Sequence, residues 1–259
     1  MRIPIRVIGI ATMFFWAFLI LFFIYAVYSV KDVQFNIGDP RLGIDSNDRL
    51  LLSLPITVDN RGYHNLGSFN VTTLISETGG AEITRQSTFI PLIEKGTTVQ
   101  TTHNVTIAMD DLLNNSLDYL FNDTELMVYA TFGTSLAEVI PVQASKNISL
   151  FWGAPLYSFM IESLEYAALN STHMAVNIPI SFENHACFNL AGTIRIRMFN
   201  DSSIRIGEGQ EIVEAAQGEA YRGNIPLEVS LDDLSRTGYF EVFFSNELFS
   251  VGPLVTHYG

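Results

Sequence analysis

The sequence repeats itself, and this internal repeat is the feature that most limits how the chain can fold. The segment LLLSLPITVDNRGYHNL, which begins at Leu50, aligns with HMAVNIPISFENHACFNL at an offset of 124 residues. The alignment pairs Pro55 with Pro179 and Asn60 with Asn184. A chain that carries two copies of one pattern is expected to fold as two similar structural units.

Within both segments, apolar residues alternate with polar residues in the same register. The alternating apolar positions are Leu52, Leu54, Ile56 and Val58 in the first copy and Val176, Ile178, Ile180 and Phe182 in the second. A period of two is typical of a β-strand with one buried face. Each segment is therefore predicted to be such a strand.

The correspondence extends further along the chain, although the offset becomes smaller. Asp110-Asp111-Leu112 matches Asp232-Asp233-Leu234 at an offset of 122, and a later strand matches at an offset of 114. The first copy therefore contains eight additional residues around LLNNSLDYLF. Their apolar spacing and acidic start predict a short helix in the first copy.

These patterns predict a mainly β protein, with an N-terminal transmembrane helix followed by two β-sandwich domains of immunoglobulin or fibronectin type. The predicted segments are 1–31 for a cytoplasmic stub and the membrane helix, 32–152 for the first sandwich and 155–259 for the second. The sequence Gly-Ala-Pro at 153–155 is typical of a join between domains. We call residues 32–152 the first repeat and residues 155–259 the second repeat.

An uncharged run of 24 residues, VIGIATMFFWAFLILFFIYAVYSV, occupies positions 7–30. As a helix that rises about 1.5 Å per residue, it can cross a hydrocarbon core of about 30 Å. It is longer than the apolar part of a signal peptide and lacks a small-residue cleavage site, so we expect an uncleaved anchor. Arg2 and Arg6 precede the run, whereas only Lys31 follows it closely. This bias predicts a single-pass protein with a cytoplasmic N-terminus and residues 32–259 outside the cytoplasm.

The predicted outer part is strongly acidic. It contains 11 basic and 27 acidic residues, which give a formal net charge of −16. This charge argues against nucleic acid as a partner, because phosphate would be repelled. We interpret it as a source of solubility rather than of cation binding, since no clustered ligand loop of the EF-hand kind is present.

Asn-x-Ser/Thr motifs, the acceptors of N-linked sugar, are more frequent than the composition explains. About two or three would be expected by chance. The seven candidates are Asn70, Asn104, Asn114, Asn122, Asn147, Asn170 and Asn200. We expect all seven side chains to be solvent-exposed, with Asn70 and Asn104 on outward strand faces, and several to be glycosylated in a host that has the pathway.

The segment PISFENHACFNL contains the only cysteine, Cys187, close to Glu183 and His185. In the repeat alignment His185 corresponds to Arg61 and Cys187 to Tyr63, so the reactive residues are those that differ between the copies. A zinc site would need a fourth ligand and a redox thiol would need a partner, and neither is evident. We therefore interpret this segment as scaffold in preference to a metal or thiol site.

The remaining chemically active residues also have structural interpretations. His103 occupies the inward position that Ile225 fills in the second copy, which predicts a hydrogen-bonded core imidazole rather than a catalytic one. The two Asp-Asp pairs are predicted to cap helices, because adjacent residues point to opposite sides and cannot form a glycosidase pair. No G-x-S-x-G, H-E-x-x-H or P-loop sequence is present. The sequence thus predicts no catalytic residue, no metal ligand and no cofactor.

Taken together, the order of these features resembles a known family. Each copy has a strand, a P-I-x-x-x-N turn, a second strand, a turn near Gly96 or Gly218, a long strand and D-D-L, and ELMVYATFGTSLAEVIPV is a Tyr-bearing strand. This order is similar to that of the late-embryogenesis-abundant group-2 fold, also called the water-stress-and-hypersensitive-response (WHy) domain. The resemblance covers nearly all of 33–259 and implies sandwiches displayed on a membrane anchor, acting as structural or interaction modules without an active site.

Two classes of function follow from the sequence. The first is a membrane-anchored, outward-facing, non-catalytic structural or interaction module that contacts a protein partner at the membrane or cell envelope. The second is a lipid- or small-ligand-binding protein that uses an apolar cleft of a sandwich. The aromatic residues that could line such a cleft are Tyr239, Phe240, Phe243, Phe244 and Phe249.

Overall fold

The computed structural model describes residues 5–259, and the side chains of all of these except 5–11, 30 and 115. Arg2, on which the predicted orientation partly rests, lies outside the described residues, as does the side chain of Arg6. Helix α1 (Ile5–Val30) comes first and contains the predicted anchor. Its stretch Thr12–Ser29, with a mean hydropathy of 2.0, makes α1 the one described helix long and apolar enough to cross a membrane.

The elements of the two repeats follow in matching order. The first repeat contains β1 (Val33–Ile37), β2 (Arg41–Ile44), β3 (Leu50–Asn60), β4 (Leu66–Ser76), β5 (Glu82–Ile93), β6 (Thr97–Ile107), α2 (Met109–Asn115), α3 (Asp118–Phe121), β7 (Thr124–Leu136) and β8 (Ile140–Trp152). The second contains β9 (Tyr157–Ile161), β10 (Glu165–Ala168), β11 (His173–Glu183), β12 (Leu190–Asn200), β13 (Arg205–Ala215), β14 (Ala220–Ser230), β15 (Gly238–Ser245) and β16 (Ser250–Tyr258). The chain is therefore mainly β, as predicted.

Each repeat forms two antiparallel sheets in a sandwich-like arrangement. In the first repeat, β3 pairs with β6 on one side and, on the other, with an edge divided into β1 and β2. The second sheet has the order β5-β4-β7-β8. The second repeat has the same plan, with β11 between β14 and the divided edge of β9 and β10, and a second sheet of order β13-β12-β15-β16.

The central strands β3 and β11 bury the side chains that the alternating pattern predicts. The eight positions are Leu52, Leu54, Ile56, Val58, Val176, Ile178, Ile180 and Phe182, each at most 6 % exposed. The predicted register is thus confirmed in both repeats. A slip of one residue would have turned every one of these side chains to the opposite face.

His103 occupies a predicted inward position in β6. Its ring is fully buried, with Nδ1 2.8 Å from the Thr88 hydroxyl and Nε2 3.0 Å from the Thr73 hydroxyl. Burial lowers the pKa of His103, so the ring is neutral near pH 7. The prediction of a hydrogen-bonded core imidazole is confirmed, and Ile225 is fully buried at the matching position of the second repeat.

The three hydrogen-bonded side chains of Thr73, Thr88 and His103 lie between two apolar clusters of the first repeat. One cluster lies towards α1 and includes Val58, Phe69 and Leu136. The other includes Leu54 and Val105 and continues without interruption into the core of the second repeat. The repeats are therefore joined through apolar packing as well as through the chain.

Six of the seven candidate glycosylation sites reach the surface. Asn70 is half-buried, and Asn104, Asn114, Asn122, Asn147 and Asn170 are exposed. The prediction for Asn200 is wrong, because its side chain is only 7 % exposed. Its amide donates to the Asp233 carbonyl at 3.1 Å, and its Oδ1 accepts from the backbone of Ser202 and Ile204. Asn200 therefore closes the β12–β13 turn.

The helical prediction for the additional residues of the first repeat is confirmed by α2 and α3. The predicted role of the Asp pairs is wrong, however, because Ala108 is the N-cap of α2 and makes no side-chain capping bond. Asp110 and Asp111 lie in the first turn, where their charge interacts favourably with the helix dipole. In the second repeat, residues 231–233 form a turn without a helix.

Candidate functional site at the junction of the repeats

The helices that only the first repeat contains lie at its junction with the second repeat. The Trp152 indole donates to the Tyr119 carbonyl at 2.8 Å, and the backbone N–H of Leu156 donates to the Leu120 carbonyl at 2.8 Å. Trp152 and Leu156 are both buried in the shared apolar core. The insert identified by the repeat alignment therefore packs against the start of the second repeat and forms hydrogen bonds with the chain around it.

His185 joins the two repeats at the edge of this junction. Its Nδ1 lies 2.8 Å from Oδ2 of Asp123, which belongs to the first repeat. Its Nε2 lies 3.1 Å from Oε2 of Glu183, in its own repeat. The ring stacks on Tyr157, with 4.2 Å between ring centroids. The two carboxylates raise the pKa of His185, chiefly through the Asp123 bond, which favours the charged imidazolium.

The linker between the repeats is held by the same residues. The backbone N–H of Ala154 donates to Oδ1 of Asp123 at 2.9 Å, and the N–H of His185 donates to the Ala154 carbonyl at 3.0 Å. Gly153 passes so close to His185 that a Cβ atom would lie 1.9 Å from its carbonyl oxygen. Only glycine fits at this crossing, because any side chain would force the backbones apart.

The junction cluster is arranged as a bridge and not as a metal centre. Asp123 and Glu183 use opposite nitrogens of the His185 ring, so their oxygens do not converge on a common point. Among the described side chains, no group of three His, Cys, Asp or Glu residues is placed to hold a metal ion. Cys187 packs against the core, and burial raises the pKa of its thiol, which keeps it protonated and weakly nucleophilic.

Helix α1 meets the first repeat through the loop that corresponds to the junction loop. The loop that follows β3 contains Arg61 and Tyr63, which align with His185 and Cys187 of the loop that follows β11. The Tyr63 backbone N–H donates to the Ser29 hydroxyl at 2.7 Å, and its ring stacks on Tyr25 at 5.3 Å. The Arg61 N–H donates to the Asp32 carbonyl at 3.1 Å. Each repeat therefore uses the same loop to receive the element that precedes it.

An apolar cavity of about 190 Å³ lies in the first repeat between strand β1 and the β7–β8 hairpin. Its wall includes Val33, Phe35, Phe69, Phe132, Leu136 and Val142. The aromatic residues that the sequence suggested for a cleft are placed differently. Phe240, Phe244 and Phe249 are at most 4 % exposed and belong to the core of the second repeat.

Sequence reasoning identified His185 but not Asp123, its partner across the junction. Asp123 lies in the short loop after α3, and its only motif is the variable position of the Asn122 acceptor sequence, which does not indicate a bond to His185. The available signal was indirect, namely that the insert exists in one copy only.

No protein-family model and no curated protein matches the sequence. Among solved structures, the ApaA protein from Bordetella pertussis is 14 % identical with a TM-score of 0.31, over 48 % of this chain and 94 % of that one. Red sea bream transglutaminase is 12 % identical with a TM-score of 0.31, over 88 % and 31 % of the chains. A glycosyl hydrolase family 2 member from Bacteroides cellulosilyticus is 9 % identical with a TM-score of 0.33, over 80 % and 28 %. The chain spans less than a third of the length of the last two proteins. Structural similarities this weak do not support a conclusion about fold family or function.

Proposed function

We propose that the chain is a membrane-anchored, outward-facing, non-catalytic module that holds its second repeat at a fixed position relative to the membrane. In this proposal α1 is the anchor, and the repeats are two sandwich domains of immunoglobulin or fibronectin type. The resemblance to the WHy family belongs to the same proposal. The exposed partner surface would then be carried by the second repeat, for contact with a protein of the membrane or envelope.

The observation that carries the proposal is the use of equivalent loops at successive joints. At the first joint the Tyr63 loop binds α1, and at the second the His185 loop binds the first repeat. The first joint combines a backbone hydrogen bond with stacking of Tyr63 on Tyr25. The second combines backbone and side-chain hydrogen bonds with a buried apolar contact. Joints of this kind restrict rotation between the elements that they connect, which is what a rigid spacer requires.

A distance measurement across the second joint tests the proposed rigidity. Nitroxide labels at Gln143→Cys and Gln210→Cys, both on exposed strand positions, would be placed in a Cys187→Ala background of the full chain. We expect one narrow distance distribution that broadens in Asp123→Ala, because that change removes the bond to His185. Asp118→Ala, an exposed neighbour in the same insert, should leave the distribution narrow. A broad distribution in the unmodified junction would contradict the proposal.

The apolar cavity supports a second candidate, the binding of one lipid acyl chain in the first repeat. Small-molecule sites commonly enclose roughly 300–1,000 Å³. The observed cavity of about 190 Å³ is smaller, and its lining is almost entirely apolar, which favours a single hydrocarbon chain over a polar ligand. Val33 lies three residues after the end of α1, so the cavity begins close to the proposed membrane surface.

Filling the cavity tests lipid binding without disturbing the backbone. Ala144 lines the cavity and pairs with Phe132, so its side chain lies on the cavity face of the sheet. We expect Ala144→Leu to remove a lipid that co-purifies in stoichiometric amount with the unmodified protein, as measured by extraction and mass spectrometry. Ala167→Leu is the matched control, since Ala167 is likewise an exposed strand alanine and lies outside the cavity. Absence of stoichiometric lipid from both proteins would contradict this second candidate.

A further inference from the structure

The end of the first repeat nearest α1 is built from four chain segments that are bonded to one another. They are residues 28–32, 61–65, 94–96 and 137–139, and we call them together the membrane-facing end. The Gly96 N–H donates to the Asn60 carbonyl, the Lys95 N–H to Oδ1 of Asn65, and the Ala137 N–H to the Asn65 carbonyl. The four segments therefore form one surface with a fixed shape.

Helix α1 packs against this surface along a single face. Within the otherwise exposed C-terminal part of α1, Ala26 and Ser29 are 1 % and 4 % exposed. The ring of His64 lies against Phe22 and Tyr25, with centroid distances of 6.2 and 5.4 Å. The contact thus begins at Phe22, about 12 Å before the end of the helix at about 1.5 Å per residue.

The length of α1 places this contact at the depth of the lipid. Its 26 residues extend about 39 Å, whereas a hydrocarbon core is about 30 Å thick. At most about 9 Å of the helix can therefore project beyond the core on the outer side. Phe22 and the His64 ring against it lie at or below the outer boundary of the core even in that case.

The membrane-facing end exposes aromatic and aliphatic side chains that suit the boundary between lipid and water, beside charged side chains that suit the headgroup layer. The exposed charged residues are Lys31, Arg61, Glu94, Lys95 and Glu138. Tyr28, Tyr63 and Val139 are 53 %, 49 % and 68 % exposed, and tyrosine is enriched where bilayer and water meet. Lys31 lies with its ammonium 3.8 Å from the centre of the Tyr28 ring, within reach of lipid phosphate. None of the seven glycosylation candidates falls in these segments, where a sugar would keep the surface away from lipid.

We propose that the membrane-facing end of the first repeat is seated in the outer leaflet, with Tyr63 and Val139 at the boundary between headgroups and acyl chains. The partner of this surface is the phospholipid around α1, and no separate stalk lifts the repeat away from it. The inference rests on the membrane anchorage contained in the proposed function. It goes further, because an anchored protein could equally carry its domains in water.

Site-directed nitroxide labelling tests the immersion of Val139. The full-length Val139→Cys protein, in a Cys187→Ala background, would be labelled in vesicles of mixed phosphatidylcholine and phosphatidylglycerol. The matched control is Ile204→Cys, a similarly exposed aliphatic residue at a turn of the second repeat, 54 % exposed. We expect the ratio of oxygen to nickel-complex collisions to be severalfold higher at position 139 than at position 204.

Equal collision ratios at the two positions would overturn the inference. Alkaline carbonate extraction of the same vesicles separates this failure from failure of the anchorage. A protein that stays in the pellet while its position 139 is aqueous is anchored but not seated. A protein released by carbonate would show that α1 does not span the bilayer, and then the proposed function fails with the inference.

Discussion

Asn60 and Asn184, 124 residues apart, share three equivalent side-chain hydrogen bonds in the two repeats. Each side chain is fully buried. Each Nδ2 donates to the carbonyl four residues ahead and to a carbonyl at the end of the following hairpin, at 3.0 and 3.2 Å in the first repeat and 2.9 and 3.0 Å in the second. Each Oδ1 accepts from the N–H two residues ahead, at 3.2 and 3.1 Å. The shared asparagine therefore fixes the turn that carries each joint.

Replacement of Asn184 by alanine should destabilise the second repeat strongly. The change leaves buried backbone groups without partners, so we expect the free energy of unfolding to fall by about 2–3 kcal/mol. Asn189→Ala is the control, because Asn189 is exposed and makes one bond to the Gln217 backbone; it should cost about 1 kcal/mol or less. Chemical denaturation of the full chain in detergent measures both. Equal effects of the two changes would contradict the assigned role.

His103→Ile, which copies the second repeat, should cost stability at neutral pH. The Thr73 and Thr88 hydroxyls lose their ring partner, which we expect to cost about 1–3 kcal/mol. Adding Thr73→Val should recover part of this loss, because it removes one unpaired buried hydroxyl. The same unfolding measurement at pH 7.5 checks the pair. A double variant less stable than His103→Ile alone would contradict the proposed cost of the unpaired Thr73 hydroxyl.

His103 should also make the protein less stable in mild acid. Burial lowers the pKa of the folded-state ring, so between that value and the unfolded value of about 6.5 the unfolded chain binds more protons. The contribution of the neutral ring is present above about pH 6.5 and is lost as the pH falls towards the folded pKa. Unfolding measured as a function of pH should show this slope in the unmodified protein and a weaker slope in His103→Ile.

His185 should give a pH dependence of the opposite sign. Asp123 and Glu183 raise its folded-state pKa, so its bridge is fully formed below about pH 6.5 and is lost as the pH rises through the folded value. In His185→Gln this loss of stability on the alkaline side should disappear. The side chain is 29 % exposed, so solvent screening keeps the effect small. If the free energy of unfolding of His185→Gln fell with rising pH as steeply as that of the unmodified protein, another group would be responsible for the slope.

Glycopeptide mass spectrometry should distinguish Asn200 from the other acceptor asparagines. The Asn200 amide is buried and donates to the Asp233 carbonyl, so sugar on this nitrogen is incompatible with the folded β12–β13 turn. In a glycosylating host we expect Asn200 to be unmodified and several of the exposed candidates to carry sugar. Asn170, in another turn of the same repeat, is the natural comparison. Sugar on Asn200 in the folded protein would contradict the structure of this turn.

Much of the architecture follows from local sequence pattern. Alternation of apolar residues determined the strands and their buried faces, since a period of two has only one register that keeps Ile178 and Ile180 inside. Repetition of that pattern determined that two similar halves exist. The same alignment identified the helical insert and explained His103, because both were departures of one copy from the other.

The joints were decided by tertiary structure alone. Asp123 and His185 are 62 residues apart, and nothing in the sequence around either residue specifies the other. The burial of Asn200 and the cap of α2 were likewise beyond the local pattern, because each depends on which backbone groups happen to lie nearby after folding. Periodicity reports whether a side chain faces inward. Only the packed structure brings together groups from distant segments, because their contact energy depends on position in space and not on order along the chain.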